Sequence, residues 1–346
     1  MSEFNNILVV RTDRIGDVVL TTPAVKALRL SYPKARLNVL VAEATRELVE
    51  GNPDIDAVFT DDRKGKHRGI FGFLRLVYEI RRQRFDLAVI LHTKKRTNLL
   101  CFLAGIPRRT GYRDNKYGFL LTDPLKDVRW NGEKHEAQLC MDVAVHLGAK
   151  PVELAPKIPC DEMWEDWAGI LFENSEKAGR EKFVALHLGA SDPSKRWPVR
   201  RFAELIALMR RHYGCKFIVI GAPDTVPLGH ELNRMVSPGV IDLSGKTTLG
   251  QLVSLLSHCK LLVSNDSGPV HVADALGVPV VSIFTRNLPG INPERWRPLG
   301  KNSRVVSVPP DLDQAFRKAG EAPAEYLELI GVEEVFHSVD QIFKTC

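Results

Sequence analysis

Residues Val263-Ser264-Asn265-Asp266-Ser267-Gly268-Pro269-Val270-His271 place an acid, a hydroxyl, a glycine and a proline together at the start of a helix. The apolar run Leu261-Leu262-Val263 before them reads as a buried strand, and Val272–Leu276 after them as a short helix closed by Gly277. A helix N-terminus offers unpaired backbone N–H groups and partial positive charge, so it favours a phosphate. Gly268 would let a ligand approach the backbone, and Pro269 suits the first turn because its missing N–H had no partner there. The same residues also fit an ordinary helix capped by Asp266 or Ser267. His271 lies one turn further on, and its meaning depends on these neighbours.

Two other clusters share this logic. Arg14-Ile15-Gly16-Asp17 follows the apolar run Ile7–Val10. Asp17 has the type and place of a general base, and equally of a cap for a helix beginning at Val18. The segment lacks the Gly-x-Gly-x-x-Gly pattern of a nicotinamide domain. Further on, Leu188-Gly189-Ala190-Ser191-Asp192-Pro193-Ser194-Lys195-Arg196-Trp197-Pro198 joins a strand to a helix through small residues and a lysine. That composition suits a diphosphate clamp, or a polar surface turn with a solvated lysine. Its spacing is not that of a nucleoside-triphosphatase P-loop.

The surrounding sequence must hold these clusters in place. In the first half, strands are expected at Ile7–Val10, Leu37–Val41, Ala57–Phe59 and Leu87–Leu91. Helices are expected at Val18–Leu30, Ala44–Glu50, Gly72–Arg82, Thr97–Ala104 and His135–Leu147. Pro151, Pro156 and Pro159 mark a linker, and Trp164–Lys177 follows as an amphipathic helix. The alternation then restarts, with strands at Phe183–Leu188, Phe217–Ile220, Val240–Leu243, Lys260–Val263 and Val280–Phe284. Its helices fall at Val199–Arg211, Val226–Met235, Leu249–Ser257 and Pro269–Leu276. Repeated strand–helix units predict parallel sheets covered on both faces, hence an α/β protein of two doubly wound domains. Ligands in such sheets sit beyond the carboxyl ends of the strands, where Asp17 and Asp266 both fall.

Bulk properties narrow the partners. A length of 346 residues suits two domains, and 44% hydrophobic with 26% charged residues is ordinary for a globular protein. No apolar run reaches a membrane span, and the start shows no secretory signal. Six scattered cysteines without Cys-x-x-Cys spacing predict free thiols in a reducing cytosol. The charge of +6 is uneven: residues 1–150 hold 26 Lys/Arg against 18 Asp/Glu, and the rest 22 against 24. The basic half fits an acidic partner or a solvated face. Nucleic acid is not expected, since basic and aromatic residues do not interleave.

Taken together, Arg-x-Gly-Asp after the first strand, Lys-x-Trp-Pro opening the second domain and Asn-Asp-Ser-Gly-Pro-x-His resemble glycosyltransferase family 9, the ADP-heptose:lipopolysaccharide heptosyltransferases. Thr21-Thr22-Pro23-Ala24, Ala104–Tyr112 and Leu243–Leu249 support the resemblance, which runs in order from about residue 7 to 284. It implies a GT-B fold: two facing Rossmann-like doubly wound domains with a central cleft. On that frame residues 1–158 would bind the acceptor and 159–331 the nucleotide sugar. The last helix, within 332–346, would by analogy pack back on the first domain.

The resemblance also implies roles. Asp17 falls on the catalytic base, and Lys195 on a phosphate-binding lysine that assists catalysis. Gly189, Ser191, Lys195, Asp224, Asp266, Ser267, Gly268 and His271 fall on the donor site. Arg14, Gly16, Arg63, Lys64, Lys66, Arg96, Arg113 and His135 fall where the acceptor would bind. The donor would be ADP-heptose and the acceptor a lipid-linked acidic glycan, the inner core of lipopolysaccharide. Transfer would invert the anomeric carbon with no metal and no cofactor, positive side chains and a helix end taking the cation's part. The protein would be cytoplasmic, in peripheral contact with an anionic membrane surface. Two departures stand near the expected donor site. Thr285-Arg286-Asn287 replaces the family's Gly-Pro-Thr, and Asp224 stands where glutamate is commoner. They leave room for a different sugar on another surface glycan. A nucleotide-sugar 2-epimerase and a non-catalytic nucleotide-binding protein are the remaining alternatives.

Overall fold

The computed structural model describes residues 4–114, 117–160, 162–176, 182–319 and 327–345. The chain divides into two compact units, Met1–Trp130 with Lys134–Pro159, and Asn131–Glu133 with Cys160–Cys346.

The first unit runs β1 (Asn6–Arg11), α1 (Ile15–Val19), α2 (Thr22–Ser31), β2 (Arg36–Ala42), β3 (Ala57–Asp61), α3 (Gly69–Arg82), β4 (Leu87–Ile90), α4 (Lys95–Leu103), β5 (Arg108–Arg113), β6 (Asp123–Lys126) and α5 (Glu136–His146). Its six strands are all parallel, in the order β3-β2-β1-β4-β5-β6. β1 is central, with Ile7 paired to Leu37 on one side and Leu87 on the other. Ile7 to Val10 are therefore buried on both faces, which is why they read as an unbroken apolar run. Leu8, Val10, Leu40, Ala88 and Ile90 meet Leu76 and Ile80 of α3 and Leu100 of α4 in one core. Each of the leucine, isoleucine and valine side chains, when fully buried, stabilises the fold by about 1.5–3 kcal/mol.

The second unit runs α6 (Glu162–Glu176), β7 (Phe183–His187), α7 (Val199–Tyr213), β8 (Lys216–Ile220), α8 (Val226–Met235), β9 (Ile241–Asp242), α9 (Leu249–Ser257), β10 (Leu261–Asn265), α10 (Gly268–Ala275), β11 (Val280–Phe284), α11 (Pro293–Trp296), β12 (Arg304–Ser307), α12 (Pro310–Ala319) and α13 (Val332–Thr345). Its parallel sheet has the order β12-β11-β10-β7-β8-β9. Both sheets thus have the doubly wound order, with switch points at β1/β4 and β7/β10.

Several expectations need correction. The helix expected over Val18–Leu30 is two helices broken at Leu20-Thr21. The Thr21 hydroxyl donates back to the Asp17 carbonyl at 2.9 Å and that of Thr22 to Val19 at 2.8 Å, while Pro23 has no N–H to give. Ala44–Glu50 is a 3₁₀ turn at Glu43–Leu48. β5, β6 and β12 escape sequence patterning because they are of mixed polarity: β6 and β12 are edge strands, β6 reading Asp-Pro-Leu-Lys, and β5, next to the edge, reads Arg-Arg-Thr-Gly-Tyr-Arg.

The final helix does not belong to the first unit. Val332, Val335, Val339 and Ile342 of α13, spaced on one face, pack into the second unit's core beside α7, β11 and β12. Tyr213 of α7 stacks on Phe343, ring centroids 4.5 Å apart. The apolar stripe of α13 is thus consumed within its own unit. Cys101, Cys140, Cys215 and Cys259 are buried free thiols and Cys160 an exposed one; Cys346 lies outside the described residues. Among the described residues no helix is long and apolar enough to cross a membrane.

Candidate active site

At the first switch point β1 ends in Arg11, which lies outside every motif of the sequence. Its side chain is 3% exposed, and it gathers three carboxylates. Nε donates to Asp13 at 2.8 Å, and Nη2 donates to Asp17 and, at 2.8 Å, to Glu136. Nη1 donates to the Leu91 carbonyl beyond β4 at 2.7 Å. The three acids hold the buried guanidinium charged against the cost of its burial.

Asp17 does not cap its helix. α1 begins at Ile15 with Arg14 at the N-cap, so Asp17 is the third residue and its carboxylate turns to Arg11. Burial raises the Asp17 pKa; the charges of Asp13 and Glu136 raise it further, while Arg11 pulls it down. One guanidinium shared among three carboxylates leaves a net negative cluster, and Asp17 responds by holding a proton more readily than a free aspartate. That is the tuning a general base requires. His135 is the buried N-cap of α5, its Nδ1 accepting the Ala137 N–H at 3.2 Å, and so sets the start from which Glu136 reaches Arg11. Neither Arg11 nor Glu136 carried a motif signal; only contact order in space joins residues 125 apart.

The basic candidates are partly organised. Arg63 and Arg96 converge on the buried Asp61 at the end of β3, Arg63 through Nε at 2.8 Å and Arg96 through a fork at 2.9 and 2.8 Å. Burial opposes the charge of Asp61, but the bonds from Arg96 and Arg63 prevail and hold its pKa below the usual value. Arg63 also donates to Thr12 Oγ1 at 3.1 Å, which ties the basic loop to the end of β1. Lys64 and Lys66 are exposed on that loop, whose Gly65 and Lys66 N–H groups the Asp62 carboxylate accepts at 2.9 Å each. Arg14 is exposed before α1, Arg113 is exposed at the end of β5, and Gly16 is buried in α1.

The second unit assembles its site at the β7/β10 switch point. Asn265, fully buried, donates to the Leu188 carbonyl at 2.8 Å and accepts the Trp197 N–H at 2.8 Å, pinning both ends of the Gly189–Lys195 loop to β10. Trp197 is itself buried and donates Nε1–H to the Ile330 carbonyl at 2.9 Å. Asp192 caps the turn Pro193–Lys195 by accepting the Ser194 N–H at 2.8 Å. Lys195 is thereby delivered to Asp266, with which it forms an ion pair whose side chains are 15% and 11% exposed. It is not a solvated lysine on a free turn.

The Ser267 hydroxyl likewise does not cap its helix. Ser267 stands at the N-cap of α10, but its hydroxyl lies 3.0 Å from His187 Nδ1 and 3.0 Å from Ser264 Oγ, and Asp266 turns to Lys195. Gly268 and Pro269 open the helix and His271 is buried within it. Asp224 is exposed in the turn Pro223–Thr225, and Ser191 is exposed in the loop. The departing segment has a structural use. Thr285 Oγ1 donates to the Ser194 carbonyl at 3.0 Å and Arg286 Nη1 to Ser194 Oγ at 2.9 Å. The buried Asp313 anchors that segment, accepting from Arg286 Nε at 3.2 Å and from the Asn287 N–H at 2.7 Å. Sequence inspection singled out Arg286 as an anomaly without seeing that it braces the lysine turn. Two Asp-x-Asp pairs occur, Asp54/Asp56 and Asp311/Asp313. Asp56 is committed to Arg29 and the Leu37 N–H, and Asp313 to Arg286.

Two predictions arise here. A methyl group at Gly189 would lie 2.5 Å from Thr225 Cγ2, so Gly189→Ala should destabilise the second unit by about 1–3 kcal/mol, read by urea unfolding. An unchanged midpoint would show that the loop relaxes freely. Burial pushes the His187 pKa down to about 4, helped by Arg196 and opposed by Asp224, so this histidine is neutral near pH 7. Between the ordinary histidine value of about 6.5 and 4 the unfolded chain binds a proton that the folded one refuses. Stability should therefore fall as pH drops through that window, and His187→Gln should flatten that part of the profile.

Two parallel doubly wound units with polar clusters at their switch points are the architecture of a GT-B glycosyltransferase. The family described as glycosyltransferase family 9 (heptosyltransferase) matches residues 73–323, and the chain belongs to that family. It is 28% identical over 311 residues to lipopolysaccharide heptosyltransferase 2 of Salmonella typhimurium, covering 87% of this chain and 88% of that one. The crystal structure of a family 9 glycosyl transferase from Veillonella parvula superposes with a TM-score of 0.86 at 26% identity, covering 99% of both chains. The Escherichia coli ADP-heptose lps heptosyltransferase II shares the fold, with a TM-score of 0.79 at 23% identity over 98% of this chain and 99% of that one.

Proposed function

We propose that this glycosyltransferase moves a heptose from ADP-heptose to the inner core of lipopolysaccharide, with inversion at the anomeric carbon. The single observation that carries the reading is the pairing of Lys195 with Asp266 beside the start of α10, at the switch point of the second sheet. A cation and a helix N-terminus together suit the diphosphate of a nucleotide sugar. The acceptor hydroxyl attacks the anomeric carbon, its proton passes to Asp17, and the sugar–phosphate bond breaks with its electron pair on the departing ADP. Lys195 and the first N–H groups of α10 stabilise the charge that grows there. Arg63 and Arg96, already ordered around Asp61, present positive charge to the phosphates and carboxylates of the acceptor. His135 acts through Glu136 and Arg11 in positioning Asp17.

The test is incubation with ADP-heptose and a heptose-deficient lipid acceptor, read by mass spectrometry. A mass gain of one heptose, dependent on both substrates, is expected. Transfer only from another donor in a panel of nucleotide sugars would replace the heptose by that sugar, a result the Thr285-Arg286-Asn287 departure would then explain. Free sugar released without acceptor would point to epimerase chemistry. ADP binding with no turnover would leave a non-catalytic protein.

A further inference from the structure

One surface of the first unit is apolar and, among the described residues, left uncovered. α3 has two apolar faces. Phe73, Leu76, Val77 and Ile80 turn into the core. Ile70, Phe71, Leu74 and Tyr78 turn outward, and are 76%, 89%, 50% and 61% exposed. At about 100° per residue these four fall within one third of the helix circumference. The neighbouring α4 also exposes Phe102, at 46%, and the 3₁₀ turn Gly118–Leu120 packed against α4 exposes Phe119, at 68%.

The charges around this face are mostly basic. Arg75 and Arg82 border the apolar strip, Arg81 lies within it, and Arg68 precedes the helix. Lys64 and Lys66 stand on the loop that leads in. Arg82 lies over the Tyr78 ring, 5.8 Å from its centroid. The single acid of α3, Glu79, is taken up by Arg75 at 3.0 Å and His67 at 3.2 Å. A helix with large apolar side chains on one outward face and arginines at its border suits the boundary between headgroups and acyl chains of an anionic bilayer. Ordinary solvated helices do not expose a phenylalanine at 89% beside an isoleucine at 76%.

We infer that the outward face of α3 docks this protein on an anionic lipid bilayer, Phe71 and Leu74 entering the acyl boundary and the arginines meeting the phosphates. The inference rests on the proposed function only in that a lipid-borne acceptor gives docking a purpose; the geometry stands without it.

The experiment is co-flotation of the full chain with vesicles of phosphatidylglycerol and phosphatidylethanolamine, against vesicles of phosphatidylcholine alone. Binding is expected to the anionic vesicles and to weaken as salt rises. Phe71→Ser with Leu74→Ser should lower partition about tenfold or more. Arg75→Gln and Arg82→Gln should each lower it about fivefold. All are surface changes, so the unfolding midpoint should not move. Transfer to a soluble, delipidated acceptor should be unchanged in Phe71→Ser/Leu74→Ser, while transfer to acceptor embedded in vesicles falls. Equal binding to neutral vesicles, or undiminished flotation of the variants, would overturn the inference. Failure to float combined with concentration-dependent self-association that the serine variants abolish would overturn it in favour of an interface between copies. If no transfer occurs to either acceptor, the proposed function fails while flotation still reports on docking.

Discussion

Asp17→Asn should lower kcat by about 10²–10⁴-fold, the usual worth of a positioned general base, and leave ADP affinity unchanged. Asparagine keeps the shape and can still accept from Arg11, so Arg11 stays bonded and the loss reports on the base. The acceptor hydroxyl becomes acidic only as its bond to the sugar forms, and an amide at position 17 cannot take up its proton. Because burial, Asp13 and Glu136 raise the Asp17 pKa, the acid limb of the rate profile should lie above the ordinary aspartate range. The sign follows from the role: Asp17 must be ionised to act, so the rate falls as pH drops through its raised pKa. Glu136→Gln or Asp13→Asn removes a negative neighbour and should slide that limb to lower pH. Near-normal turnover in Asp17→Asn, or a limb that ignores both neighbours, would refute the assignment.

Lys195→Ala should weaken donor binding and lower kcat together, by about 10²–10³-fold in kcat if Lys195 meets charge that grows in the transition state. Before donor binds, its ammonium is paired with Asp266. In the proposed reaction an incoming diphosphate shares or displaces that carboxylate, and the pair keeps the lysine in place until then. The alanine variant also takes from the mostly buried Asp266 the ammonium it faces, and breaking such a pair can cost up to about 3–5 kcal/mol of stability. The double variant Lys195→Ala/Asp266→Asn separates the two effects. Its stability should recover while its activity stays low. Activity that returned with stability would make Lys195 a structural partner of Asp266 and nothing more. Isothermal titration with ADP and steady-state kinetics with varied donor read the two quantities.

Much of this was legible along the chain because the informative residues are local. Ile7–Val10 and Val280–Phe284 are apolar runs of strand length, and being buried on both faces they carry their signal within a few residues. Val226–Met235 and Leu249–Ser257 start and stop where proline, threonine and helical spacing put them. The motif residues Asp17, Lys195 and Asp266 sit at loop–helix junctions whose place at the strand ends follows from strand–helix alternation alone.

What the chain by itself determined, then, was the alternation of elements, the division into two doubly wound units and the loops that hold the chemical groups. Only the tertiary structure decided which groups meet. Arg11 and Glu136 touch because β1 and α5 belong to one sheet unit, and Lys195 and Asp266 because β7 and β10 are neighbours across a switch point. It also decided that Asp17 and Ser267 do not cap their helices, that α13 stays with its own core, and that half of α3's apolar residues face outward. The physical reason is the range of the forces involved. Hydrophobic periodicity acts between neighbours on one element, whereas ion pairs and packing join residues 71 or 125 positions apart that only the folded sheet brings within 3 Å.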